Sequence, residues 1–403
     1  MNIIALSFKY LWSRPLAAAL NVLLLALGVA SITLVLLVSS QIDRAFERDL
    51  KGIDVVVGAK GSPMQLILAG VFHIDTPTGN IPLADVKNLQ QDPRVASLIP
   101  LSLGDSFRGF RIVGTTADYA SHYEAKLAQG AMFNLPLEAV LGAEVAKSTG
   151  LTAGNSFIGS HGLGTNGHAH GDTPYQVIGV LSSCGCVLDR LILTATESVW
   201  RVHEKAIVGD TKLDAEDKKA IEEDREVTVA LIRYKSPLAA VSFPRFVNTT
   251  TNMQAAAPAI EITRLLRMVG VGTDVLRGFG AVLLLTAGLS VFIALWNAVR
   301  ERRADLAMLR MLGASPQKVA GLLVCEALWL AILASIMGLL LGHLLTGAVG
   351  YLLQAEKSLP LTGWIWLVQE WAIPAAAALV AVVAALIPAI AAYRVDVQSL
   401  LKS

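Results

Sequence analysis

Residues 278–318 read GFGAVLLLTAGLSVFIALWNAVRERRADLAMLRMLGASPQK. Residues 278–299 contain no Asp, Glu, Lys or Arg. At 1.5 Å rise per residue, a helix of this length crosses a hydrocarbon core about 30 Å thick. Residues 300–318 then carry Arg300, Arg302, Arg303, Arg310 and Lys318 against only Glu301 and Asp305. An apolar run closed by a basic one is a membrane span whose basic end stays in the cytoplasm.

Working outward, three more charge-free stretches stand at 15–42, 327–355 and 371–393. They explain how 403 residues reach 54% hydrophobic and only 16% charged, with a mean hydropathy of +0.56, a balance outside the range of soluble domains. The fold class is therefore a membrane protein with four transmembrane α-helices and a large mixed α/β extracytoplasmic domain inserted between helices 1 and 2. A net charge of +1 with no basic stripe gives no support for nucleic-acid binding. Three cysteines make no disulfide framework.

Charge then orders the segments. Lys9 and Arg14 precede the first span, which is too long for a signal-peptide core and shows no small-x-small cleavage site, so it reads as a retained anchor. Residues 1–14 form a cytoplasmic N-terminus, either a short amphipathic helix on the membrane or the frayed start of the span. The spans run 15–42, 278–299, 319–355 and 371–393. A cytoplasmic loop occupies 300–318, a short periplasmic loop 356–370 and a cytoplasmic tail 394–403. Both termini are expected in the cytoplasm of an inner-membrane, multi-pass protein, with residues 43–277 in the periplasm.

Within 43–277, the runs Asp54–Val57, Ala96–Leu103, Phe107–Val113, Tyr175–Leu181, Leu191–Thr194 and Val227–Tyr234 are short, β-branched or alternating, and bounded by Gly, Pro or Asp, which predicts strands. Leu137–Thr149 and Ile260–Leu276 have helical spacing. The charged run 210–226 reads as a solvated helix or loop.

The segment GNSFIGSHGLGTNGHAHGD, residues 154–172, sets His161, His168 and His170 among glycines, with Asp172 close behind. These side chains are candidate ligands for Zn²⁺ or Cu²⁺, joined by Cys184 and Cys186 if the strands fold back. The bland alternative is a glycine-rich loop with incidental histidines, since the spacing matches no strong zinc signature. For Cys184-Gly185-Cys186 three readings fit: thiols in a metal site, a geometrically demanding disulfide across two residues, or small buried residues at a turn, the last being the default. His73, and His203 with Glu204, read as surface or packing residues, and Cys325 as packing.

The third span carries Gly338 and Gly342 at small-xxx-small spacing, extended by Ala334, a face that lets helices approach closely. Glu326 is placed to snorkel or pair with the basic loop, and no chain of polar residues crosses the bilayer. The sequence contains no P-loop, no Gly-x-Ser-x-Gly elbow and no His-Glu-x-x-His, so no catalytic residues are assigned and no directly bound cofactor is expected.

The stretch 300–318 strongly resembles the R-x-R-E-[IL]-x-[IL]-L-[RK]-x-[LM]-G-A pattern of the MacB, LolC/LolE and FtsX permease superfamily, the type VII ABC transporters, with Asp305 at the usual glutamate. The likeness extends to the whole plan, including Pro388 and Tyr393-Arg394-Val395-Asp396 ahead of Leu400-Leu401. It also covers GIDVVVGAKGSPMQL (52–66), FHIDTPTGNIP (72–82), LGAEVAKSTGLTAGNSF (141–157) and TTNMQAAAPAIEITRL (250–265).

The resemblance implies mechanotransmission. A cytoplasmic ATPase of the LolD/MacB type, supplying ATP and Mg²⁺, would act on a helix around Gly313. There Met308, Leu309, Leu312 and Val319 are the apolar knobs, with Arg303, Asp305, Arg310, Ala314 and Lys318 around them. With only 14 residues ahead of the first span, that ATPase is expected as a separate subunit. A second copy of the permease, membrane lipid and a periplasmic protein or lipoprotein are the other expected partners. The α/β domain would divide into porter-like flanks and an insert at about 115–205. The competing readings are a membrane-anchored metal-binding receptor and a regulator of a periplasmic hydrolase in the manner of FtsX.

Overall fold

The computed structural model describes residues 3–162, 173–208, 215–355 and 361–394. The chain divides into two compact units, residues 1–42 with 268–403, and residues 43–267. Four helices, Pro15–Leu50, Pro258–Glu301, Pro316–Leu353 and Val368–Tyr393, are long and apolar enough to cross a membrane.

In the membrane unit, Pro15 and Pro316 open their helices at the position where a missing N–H costs nothing. Residues Ile3–Trp12 form a separate short helix. It lies against the third span, with Phe8 on Trp329 at 5.1 Å and Trp329 donating to the Ile4 carbonyl. Of the two readings of the N-terminus, the separate helix is the one observed.

The fourth span buries Ala377, Ala381, Ala385 and Ala389. A stripe of small residues every fourth position lets a neighbouring helix approach closely. Gly338 and Gly342 serve the same purpose against the first span. A Cβ on Gly338 would stand 2.5 Å from the Val29 Cβ and 2.7 Å from the Ala26 carbonyl, and one on Gly342 2.6 Å from the Thr33 Cβ. Ala334, on the same face, is fully buried.

Two clusters of paired polar groups stand among the described residues of the bundle. Near the start of the first span, Ser290 donates to the Asn21 side chain, and Arg302 approaches Glu326 at 3.8 Å. The second cluster holds Gln41, whose amide both donates to the Thr362 carbonyl and accepts from the Thr362 N–H. It also holds His343, 2.9 Å from Glu370 and 2.6 Å from the Gly363 carbonyl. Glu326 and His343 share one helix and lie about 26 Å apart along it. Trp364, Trp366 and Trp371 are exposed beside the second cluster, where amphipathic rings suit a membrane interface.

The α/β domain is built on one mixed sheet. Its nine-strand path runs Met253–Ala256, Val55–Ala59, Val229–Tyr234, Val95–Phe107, Phe110–Thr115, Leu191–Ala195, Glu138–Leu141, Tyr175–Leu181, Leu127–Gly130. The first four strands are mutually antiparallel. Beyond them, Leu191–Ala195 runs parallel to Phe110–Thr115, and Glu138–Leu141 parallel to Tyr175–Leu181. The strand Val95–Phe107 belongs to both portions: Leu98–Leu101 pair with Val229–Ile232, while Ser102–Phe107 pair with Phe110–Gly114.

Two expectations are corrected. Phe107–Val113 is not one strand: Phe107 ends one, Arg108 and Gly109 turn, and Phe110–Thr115 is the next. Arg108 and Gly109 both take positive φ, 48° and 79°, as a two-residue hairpin turn requires. Leu137–Thr149 is not one helix but the strand Glu138–Leu141 followed by the helix Ala143–Thr149. Gly142 divides them, because a side chain there would run into the Leu188 and Asp189 carbonyls.

Two buried basic groups stand in this core. Arg111 donates to the Asp75 carbonyl at 2.7 Å, and burial brings its pKa down to about 10. His73 is hydrogen-bonded to the buried Tyr119 hydroxyl at 2.9 Å. Burial, then the charges of Arg111 and Arg190, hold its imidazole well below the ordinary value. The native state therefore keeps His73 neutral, whereas the unfolded chain protonates it near pH 6.5. The stabilisation is complete above about pH 6.5 and is lost as pH falls toward the depressed native value, at up to about 1.4 kcal/mol per pH unit. Melting curves between pH 7 and pH 5 should show this acid destabilisation. The variant His73→Gln should show a shallower slope, by about one proton; an unchanged slope would contradict the assignment.

Candidate functional site

The motif that follows the second span folds as a helix, Arg303–Met311, closed at Gly313 by a φ of 93°. Positive φ is cheap only for glycine. Ser315 accepts from the Lys318 N–H, and with Pro316 behind it the third span begins.

Leu306 and Ala307 are buried and seat the short helix on the bundle. On the opposite face Met308, Met311 and Leu312 are 51%, 56% and 86% exposed. Their spacing of three and four residues makes one continuous apolar patch. Arg303, Asp305 and Lys318 are also exposed around it.

The expected knobs Leu309 and Val319 are corrected by this geometry. Val319 is 1% exposed, and Leu309, with Ala314, packs against the apolar cluster of the membrane unit. Met311, absent from the set expected on sequence, takes their place at the surface. Arg302 is no part of the rim either. Its guanidinium donates to the Tyr10 carbonyl and the Ser13 hydroxyl, stacks 4.5 Å over the Tyr10 ring and faces Glu326. Together with the ion pair Arg14–Glu301, it fastens the start of the loop to the N-terminal helix.

A second constellation lies in the α/β domain. Asp105, His161 and His203 each offer one ligand atom, all within 4.8 Å of one another. Of the metal candidates named from sequence, only His161 belongs to it, while His168, His170 and Asp172 lie outside the described residues. Cys184 and Cys186 are corrected: they are joined in a disulfide, so neither thiolate is available to a metal. Their turn is held instead by Asp189, which accepts from the Cys184 and Gly185 N–H groups and from the Ser183 hydroxyl.

Known proteins share this plan. Residues 18–241 match the MacB-like periplasmic core domain, and residues 277–396 the FtsX-like permease C-terminal. The chain belongs to the MacB/FtsX superfamily of type VII ABC permeases.

Among relatives, it is 22% identical over 362 residues to the pyoverdine export ATP-binding/permease protein PvdT of Pseudomonas entomophila, covering 85% of this chain and 52% of that protein. It is likewise 22% identical over 361 residues to PvdT of Pseudomonas putida, covering 85% and 51%. The chain thus spans about half the length of the curated relatives it matches.

Two solved structures are similar to it. One is the periplasmic region of MacB from Actinobacillus actinomycetemcomitans, at 13% identity, covering 54% of this chain and 95% of that one, with a TM-score of 0.35. The other is the extracellular domain of the noncanonic ABC-type transporter YknZ from Gram-positive bacteria, at 12% identity, 50% and 98% coverage and a TM-score of 0.31.

Proposed function

We propose that this chain is the permease subunit of an ABC transporter, that an ATPase outside these 403 residues drives it, and that it works by mechanotransmission. The observation that carries the reading is the exposed patch of Met308, Met311 and Leu312 on the short helix between the second and third spans. Water gains nothing from three adjacent apolar side chains, and a helix offering them at i, i+3 and i+4 is suited to a groove on another protein. The relatives named as joint ATP-binding and permease proteins point to the occupant of that role.

The short helix lies directly between two spans in the chain, and the first two spans are the α/β domain's covalent attachments. ATP-driven closure of a pair of ATPase subunits against two permease copies would displace the helix, and the spans would pass the displacement outward. The two polar clusters, with no charged residue in the helices between them, fit a machine that moves its periplasmic domain rather than passing solute through the bundle. The periplasmic substrate or partner is handled on the outer side.

Chemical crosslinking tests the docking. A chain bearing Met311→Cys, copurified with its ATPase, should crosslink to the ATPase through a short bifunctional maleimide, with a yield that changes when ATP is added. A cysteine at the exposed Leu285, within the second span, is the control. Equal crosslinking from both positions would remove the proposal.

A further inference from the structure

We propose that Asp105, His161 and His203 form a binding site for a borderline divalent cation, with Zn²⁺ the best match. Two imidazole nitrogens and one carboxylate oxygen are the donor set of open zinc sites, which leave a fourth position for water or an incoming ligand. Imidazole also suits Cu²⁺, Ni²⁺ and Fe²⁺, whereas Mg²⁺ and Ca²⁺ favour an all-oxygen shell.

The spacing suits a single ion. His161 Nδ1 lies 3.1 Å from one Asp105 oxygen, and His203 Nε2 lies 3.7 Å from the other. With metal–ligand bonds of 2.0–2.1 Å, the edge of a tetrahedron is about 3.3 Å. The two contacts use different carboxylate oxygens, and one ligand atom from each residue lies within 4.8 Å of the others, so closure onto one ion requires side-chain shifts of up to about 1.5 Å.

Three separate elements hold the ligands. Asp105 and His161 are cross-strand partners, directly opposite in the pairing of Val95–Phe107 with Ser160–His161. The Gly162 N–H donates to the Gly104 carbonyl at 2.8 Å, and the Ser106 hydroxyl donates to the Gly162 carbonyl. Gly162, next to His161, is thereby bound to the strand that carries Asp105. His203 comes from the helix Thr196–Val208, which packs on the strands Phe110–Thr115, Leu191–Ala195 and Val95–Phe107. The two rings lie 5.0 Å apart at an angle of 40°.

Burial gives the site a floor and a mouth. The Asp105 side chain is 1% exposed, while the imidazoles are 45% and 38% exposed. A buried carboxylate beside two half-exposed imidazoles is a pocket that water can reach. His203 also lines a cavity of about 550 Å³, together with Ser102, Gly104, Trp200 and Asp224. That volume admits a hydrated ion or a ligating side chain of a partner.

Visible absorption of Co²⁺ bound to the full-length chain in detergent micelles tests the proposal, with Zn²⁺ as competitor. One equivalent should bind with the strong absorption of a four- or five-coordinate ion, and Zn²⁺ should abolish the signal. His161→Ala and His203→Ala sit at the surface and leave folding intact. Each should weaken binding tenfold or more, and Asp105→Asn should do the same. The double variant His168→Ala/His170→Ala should bind as the parent does. Absence of Co²⁺ and Zn²⁺ binding would overturn the proposal and leave the three side chains as a hydrogen-bonded cluster. Loss in the 168/170 variant with retention in His203→Ala would overturn it too. Neither readout involves the ATPase, so the site and the coupling role stand or fall separately.

Discussion

Leu312→Asp should lower the chain's stimulation of its ATPase by thirtyfold or more while leaving the permease itself folded and extractable in normal yield. Leu312 is 86% exposed, so a carboxylate there costs the free chain almost nothing. In a docked complex the same carboxylate would be buried without a partner, a penalty of at least about 2 kcal/mol. Since 1.4 kcal/mol is tenfold, the association constant falls by thirtyfold or more. Met308→Asp should act similarly.

Leu309→Asp is the uninformative substitution, because Leu309 packs into the bundle and a carboxylate there would damage the fold itself. Gly313→Ala should give an intermediate loss: the turn needs φ near 93°, which costs an L-residue about 1 kcal/mol. ATPase assays on the reconstituted complex, with permease yield and melting temperature as controls, check the series. Stimulation at parent level from Leu312→Asp would remove the assigned docking face.

Gly338→Leu should damage the membrane unit severely, at the contact of the first and third spans. Its Cβ alone would stand 2.7 Å from the Ala26 carbonyl oxygen, an atom of a neighbouring helix's backbone that no rotamer change can move. The first and third spans would have to separate. In lipid, no hydrophobic driving force offsets that separation, because helix association there rests on close packing and hydrogen bonds. Overpacking of this kind costs about 1–3 kcal/mol even where side chains can yield, and here the obstacle is backbone.

A fall in melting temperature and in the monodisperse fraction after detergent extraction is expected. Val29→Ala should restore only part of the loss, because it relieves the Val29 clash and not the Ala26 one. A parent-like melting temperature for Gly338→Leu would show that the two spans do not meet at this glycine.

The spans were legible because a run without charge can be read one residue at a time, and the short helix because Leu309-Arg310-Met311-Leu312-Gly313-Ala314 is a continuous pattern. Which of its side chains face outward was not legible. Leu309 and Leu312 are equally apolar, and only packing against the bundle turns the first inward. Spacing alone held a clue, since Met311 and Leu312 stand three and four residues after Met308.

The α/β domain was harder because its contacts are distant in sequence. Asp105 and His161 meet through strand register, and His203 arrives on a helix 42 residues later. A lone carboxylate in the otherwise apolar or small run LSLGDSF was the available signal. The Leu137–Thr149 misreading has the same origin. Glu138–Leu141 is short enough to fit either period, and the neighbouring strands Leu191–Ala195 and Tyr175–Leu181 decide the matter.

The strand Val95–Phe107, common to both portions of the sheet, ties them into one mechanical body. The chain leaves the antiparallel portion once, at Phe107, and re-enters it at Val229. The region between is joined to the rest along that strand's edge and by further contacts: Arg111 donates to the Asp75 carbonyl, Tyr123 to the Asp49 carbonyl, His73 meets the Tyr119 hydroxyl, and Glu226–Val227 pair with Ile81–Pro82. A change in the intervening region is therefore felt in the antiparallel portion, both through the shared strand and through those contacts.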